Sequence, residues 1–75
     1  MRYKEQREYE TIDDDIAALE AKLEELEQEM AANATNSAKL TELAAAQAET
    51  KDALDQKMER WMYLSELAEQ IAAQG

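Results

Sequence analysis

Residues 9–30, YETIDDDIAALEAKLEELEQEM, place Tyr9, Ile12, Ile16, Leu19, Leu23, Leu26 and Met30 at alternating steps of three and four. On an α-helix this spacing holds every apolar side chain on one narrow stripe that faces a partner. The positions between are filled by Asp, Glu, Ala, Lys and Gln, so residues 9–30 read as a coiled-coil strand. Further along, Leu40, Gln47, Leu54, Trp61 and Ala68 recur every seventh residue, with Leu43, Met58, Leu64 and Ile71 beside them. The two ladders are separated by Asn33, Ala34, Thr35, Asn36 and Ser37, whose short polar side chains cap helix ends and favour a turn. So short a connection cannot return the chain for a parallel pairing, which leaves an all-α, antiparallel two-helix coiled-coil hairpin.

Toward the N-terminus the pattern predicts an interruption. YKEQREYE, residues 3–10, is composed of good helix formers with charges spaced to pair along a helix. Thr11 and Asp14 then form a T-x-x-D capping signature, and Asp13, Asp14 and Asp15 suit the positive end of a new helix. The expected organisation of the single domain, 1–75, is a short helical segment over 4–10, a kink near residues 11–13, a helix over 13–32, a turn at 33–36 and a helix over 37–73. A continuous first helix is the alternative.

Pairing the ladders about the turn sets Met30 opposite Leu40, Leu26 opposite Leu43 or Ala44, Leu23 opposite Gln47, and Ile16 opposite Leu54. It continues with Ile12 opposite Met58 and Tyr9 opposite Trp61. The polar layer, Gln47 with Thr50 or Lys51 against Leu19 and Leu23, reads as a register-setting feature. Two helices enclose nothing beyond their shared seam, so function is expected on a surface, with support from self-association or from a larger parent chain.

Composition removes most chemistries. The chain has no Cys, no His and no Pro, and Gly75 is its one glycine. Cys/His metal centres, thiol nucleophiles, disulfides, histidine acid–base catalysis and glycine-rich phosphate loops are therefore excluded. Consecutive helical residues point about 100° apart, so Asp13, Asp14 and Asp15 do not converge on one metal ion. Glu24 and Glu25 read as a solvated face, since nothing would keep water from them. The absence of a leader-like segment, a long apolar run and cysteine fits a cytoplasmic protein and no membrane partner.

The net charge is −10. Residues 11–32 carry eight acidic side chains against Lys22, whereas residues 1–10 balance Arg2, Lys4 and Arg7 against Glu5, Glu8 and Glu10. An acidic total disfavours nonspecific nucleic-acid binding, so only a local basic patch would serve. The hairpin register brings one together at its open end: Arg2, Lys4, Arg7, Lys57 and Arg60, beside Tyr3, Tyr9, Trp61 and Tyr63. Cations interleaved with aromatic rings supply phosphate contacts and stacking faces. Trp61 and Tyr9, on the seam, read first as core, and the nearby Arg and Lys side chains have Glu5, Glu8, Glu59 and the rings as competing partners.

The run Tyr3-Lys4-Glu5-Gln6-Arg7-Glu8-Tyr9-Glu10, with Ile12, Ile16 and Leu19 behind it and Glu59-Arg60-Trp61 and Leu64 toward the end, resembles the C-terminal coiled-coil extension of ABC-F ATPases of the Uup type. The YKEQRE opening carries most of that resemblance, because its polar residues are not dictated by the heptad. Many members have Leu-Pro where this chain has Ile12-Asp13, and an Asp-Pro and aromatic residues at the tip. The resemblance implies a non-catalytic module of a larger ATPase with two ATP-binding cassettes, in a family linked to ribosomes and translation. It implies a DNA-binding or ribosomal RNA-contacting role, with Arg2, Lys4, Arg7, Lys57 and Arg60 on phosphates and Tyr3 and Tyr63 stacking. ATP and magnesium would belong to the cassettes, with no cofactor in the hairpin itself. The alternative expectation is a structural spacer or homodimerising element that positions the cassettes or a protein partner, favoured by apolar residues outside the seam such as Met62, Leu67 and Ile71.

Overall fold

The computed structural model describes residues 2–74. Helix α1 runs from Tyr3 to Ala32 and helix α2 from Ser37 to Gln74, packed side by side in opposite directions. The rod measures 58 × 17 × 14 Å. Its long dimension is set by α2, since 38 residues at 1.5 Å each span about 57 Å.

The connection is built by two asparagines. Asn33 donates its backbone N–H to the Glu29 carbonyl at 3.0 Å and its side-chain amide to the same oxygen at 2.8 Å, closing α1. Its φ of −114° is an ordinary right-handed value, so the turn needs no glycine. Asn36 then caps α2, its Oδ1 accepting from the Lys39 N–H at 3.1 Å. These bonds satisfy helix-end groups that would otherwise need water.

The predicted break at residues 11–13 is absent, and α1 is one helix through Thr11 and the three aspartates. Thr11 does not cap a new helix. Its hydroxyl turns back to the carbonyls of Arg7 and Glu8, both at 3.3 Å. Tertiary packing overrules the local signal. Ile12 is fully buried in the seam, and α2 grips α1 on either side of it, through Glu8 with Arg60 and Asp15 with Lys57. A kink would have to break this packing, whereas a continuous helix costs only the modest propensity penalty of Asp and Thr.

The seam follows the antiparallel register, but its buried column on α2 differs from the expected one. Leu43, Thr50 and Leu64 are buried, opposite Ile12 and Leu26 of α1. The seven-spaced series Leu40, Gln47, Leu54 and Ala68 is only half-buried. Three residues of the second ladder lie outside: Ile71 is 40% exposed near the end of α2, and within the rod Met58 is 49% exposed and Trp61 40%. The reason for the latter two is Lys57, which takes the seam position between Thr50 and Leu64, half-buried. Its stem covers the seam while its ammonium reaches Asp15 at the edge. Met58, one residue on, is thereby rotated about 100° away. In the polar layer it is Thr50 that is buried, its hydroxyl donating to the Ala46 carbonyl at 2.7 Å, whereas Lys51 is exposed.

The burial pattern gives a direct expectation. Leu64→Ala should destabilise the hairpin by about 2–5 kcal/mol in thermal or urea unfolding, the usual cost of emptying a buried leucine site. Met62→Ala, at a side chain 58% exposed, should cost no more than about 0.5 kcal/mol. Equal destabilisation by the two would contradict the observed seam.

Candidate nucleic-acid interface

At the open end, the start of α1 lies against the last third of α2. The seven residues expected to contact nucleic acid separate here into two groups. Lys57, Arg60 and Tyr63 are tied to α1. The Arg60 guanidinium takes both carboxylate oxygens of Glu8, with Nε to Oε2 at 2.8 Å and Nη2 to Oε1 at 3.0 Å. It also lies over the Tyr63 ring, 4.9 Å from the centroid. The Tyr63 hydroxyl donates to Glu5 Oε2 at 3.1 Å, and Lys57 Nζ pairs with Asp15 Oδ2 at 3.2 Å. Glu5 completes the brace, because its other oxygen accepts from the Arg2 backbone N–H at 3.3 Å where α1 begins. One carboxylate therefore joins the first turn of α1 to α2.

The electrostatics follow from this geometry. The Glu5 carboxyl is held below its ordinary pKa, first by the Arg2 N–H, then by the Tyr63 hydroxyl, with the Arg60 charge adding to both. Arg60 is pushed above its usual value, chiefly by its hydrogen bonds to Glu8, and stays charged at every accessible pH. Its charge is paired with Glu8 at the surface of the hairpin. One face of the Tyr63 ring is likewise occupied by Arg60.

Arg2, Lys4 and Arg7 form the second group. All three are exposed and make no ion pair with any described residue. They lie at the N-cap and in the first two turns of α1, beside Tyr3, which is 74% exposed. Glu66 and Glu69, exposed on the far end of α2, make this end of the rod two-signed, with the cations that lack an ion-pair partner among the described residues at the start of α1. Among the described residues there is no group of acidic side chains able to hold a metal ion. No helix among the described residues is long and apolar enough to cross a membrane. A shallow groove of about 340 Å³, lined by Gln6, Tyr9, Ala68 and Ile71, runs beside the brace and is too open to exclude water from a reaction. Of the residues that complete the brace, Glu5 and Glu8 were legible as competing partners in the sequence. Asp15 was not, because it reads as part of a helix start.

The family model described as ABC transporter C-terminal domain matches residues 1–66. This chain belongs to that family. Along 71 residues it is 42% identical to a protein of Bacillus subtilis (strain 168) described as an uncharacterized ABC transporter ATP-binding protein, YfmR. That match covers 95% of this chain and 11% of YfmR. No solved structure matches it. The hairpin is thus a C-terminal domain of the kind carried by ABC ATP-binding proteins, and it is not the cassette that binds ATP.

The Glu5 bridge has a measurable signature. Because the folded pKa of Glu5 lies below the unfolded one, its contribution to stability is complete above the unfolded pKa and is lost as the pH falls through the folded one, in the acid range. Tyr63→Phe removes one of the two bonds to the carboxylate. In a carbon-detected NMR titration the Glu5 midpoint should move up toward the ordinary glutamate value without reaching it, since the Arg2 N–H remains. An unchanged midpoint would mean that Tyr63 does not hold Glu5.

Proposed function

We propose that the hairpin is a non-catalytic interaction module that presents Arg2, Lys4 and Arg7 to the phosphate backbone of a nucleic acid, DNA or ribosomal RNA. Tyr3 stands next to them for stacking. The observation that carries this reading is the contrast between these three cations, exposed and without an ion-pair partner among the described residues, and Lys57 and Arg60, which are paired with α1. Lys57, Arg60 and Tyr63 then act as the brace that holds the contact surface in place. ATP and magnesium belong to the cassettes of the longer, cytoplasmic ATPase in this reading, and the hairpin needs neither.

A second reading, a structural element that positions the ATP-binding cassettes, is favoured by one separate observation. Met58, Trp61 and Met62 are exposed on a part of α2 that a partner at the start of α1 leaves uncovered.

Fluorescence anisotropy against labelled duplex DNA, single-stranded DNA and a ribosomal RNA fragment, at low and physiological salt, tests the first reading. Binding should weaken with salt. The triple variant R2E/K4E/R7E should lower affinity at least tenfold and flatten the plot of log K against log salt by roughly 2–3, at about 0.7–0.9 for each phosphate no longer neutralised. Lys57→Ala should change affinity less than about twofold, because that ammonium is already paired. Tight binding by the triple variant, or no binding at low salt, would overturn the assignment.

A further inference from the structure

Met58, Trp61 and Met62 stand at i, i+3 and i+4 on α2, the spacing of a single helix stripe, with 49%, 40% and 58% of their surfaces exposed. Successive residues turn by about 100°, so Arg60 and Tyr63 fall to one side of the Leu64 line and the stripe to the other. The stripe is therefore separate from the brace. Three large apolar side chains left outside a seam that buries so few residues form a surface ready to dock, and their exposed areas sum to roughly 300 Å², taking about 150–250 Å² for a large side chain.

The size and charge of the stripe select its occupant. A stable interface between free proteins buries about 800 Å² on each partner, well beyond what this stripe supplies. A second copy is further disfavoured because each carries a net charge of −10. A tethered partner is different, since a linker raises the effective concentration to the millimolar range and a small patch then suffices. The hairpin spans 11% of YfmR, so in such a protein it is tethered to a much longer chain. The charges on the exposed flanks of α2 near the stripe are Lys51 against Asp55, Glu59, Glu66 and Glu69, an acidic excess. The fitting surface is an apolar depression rimmed by Lys or Arg.

We infer that the Met58–Trp61–Met62 stripe docks intramolecularly on the ATP-binding portion of the polypeptide that carries this hairpin, and so sets the direction in which the open end points. The inference rests on the positioning role given above as the second reading. The experiment uses the full polypeptide with a photoreactive benzophenone amino acid in place of Met62 or, separately, of Glu27, an exposed residue on α1. After irradiation, mass spectrometry should find the Met62 probe linked to the ATP-binding portion of the same chain and the Glu27 probe unlinked. Adding M58E to the Met62-probe chain should cut that yield at least fivefold, with helix content by circular dichroism unchanged because Met58 is exposed. Links from Glu27 alone would keep the positioning role and overturn the stripe. No links from either position would overturn both. Links from Met62 to a second copy or to nucleic acid would overturn the intramolecular assignment.

Discussion

Two helices share one face, and that limit governs the rest of this molecule. Among the described residues only Ile12, Leu26, Leu43, Thr50 and Leu64 are removed from water, because every other seam side chain has an open flank. A core this thin cannot define the pairing along the whole rod by burial alone. The polar bonds across the helices therefore matter more than they would in a larger domain. They lie in the half of the rod away from the turn, where no connection joins the helices and the chains would otherwise fray.

The same bonds reshape the surface available for function. An acidic α1 laid against the cations of α2 pairs Lys57 with Asp15 and Arg60 with Glu8, whereas Arg2, Lys4 and Arg7 at the start of α1 have no ion-pair partner among the described residues. Glu5 has a double role, satisfying a backbone N–H of the first turn and anchoring Tyr63. Lys57 at a seam position displaces Met58 and Trp61 outward, which creates the apolar stripe on the opposite flank. One side chain in the seam thus links the brace to the exposed hydrophobic surface.

A rod of this shape separates its binding surfaces along its length and around its girth. The cationic group, the apolar stripe and the acidic middle of α1 are distinct, and a partner at one does not cover the others. In the function proposed above, such an anatomy would let one surface be held by the protein that carries the domain while another reaches outward. The grooves beside the seam are open to solvent along their length.

The heptad spacing of Tyr9 to Met30, the seven-residue recurrence from Leu40 to Ala68 and the asparagine-rich tip were enough to determine an antiparallel helical hairpin, because periodicity and turn chemistry are local properties written in residue order. The composition likewise excluded thiol, histidine and glycine-loop chemistry outright. Three features were decided only by the tertiary structure. Helix α1 continues through Thr11–Asp15 because Ile12 is buried and Glu8 and Asp15 are gripped from α2, interactions that a capping signature does not reveal. Trp61 and Met58 are exposed because Lys57 takes the seam, a choice between two adjacent heptad columns that depends on how the helices rotate about their axes. Which cations are ion-paired depends on carboxylates more than forty positions away in the chain, and only folding brings those charges within reach of one another.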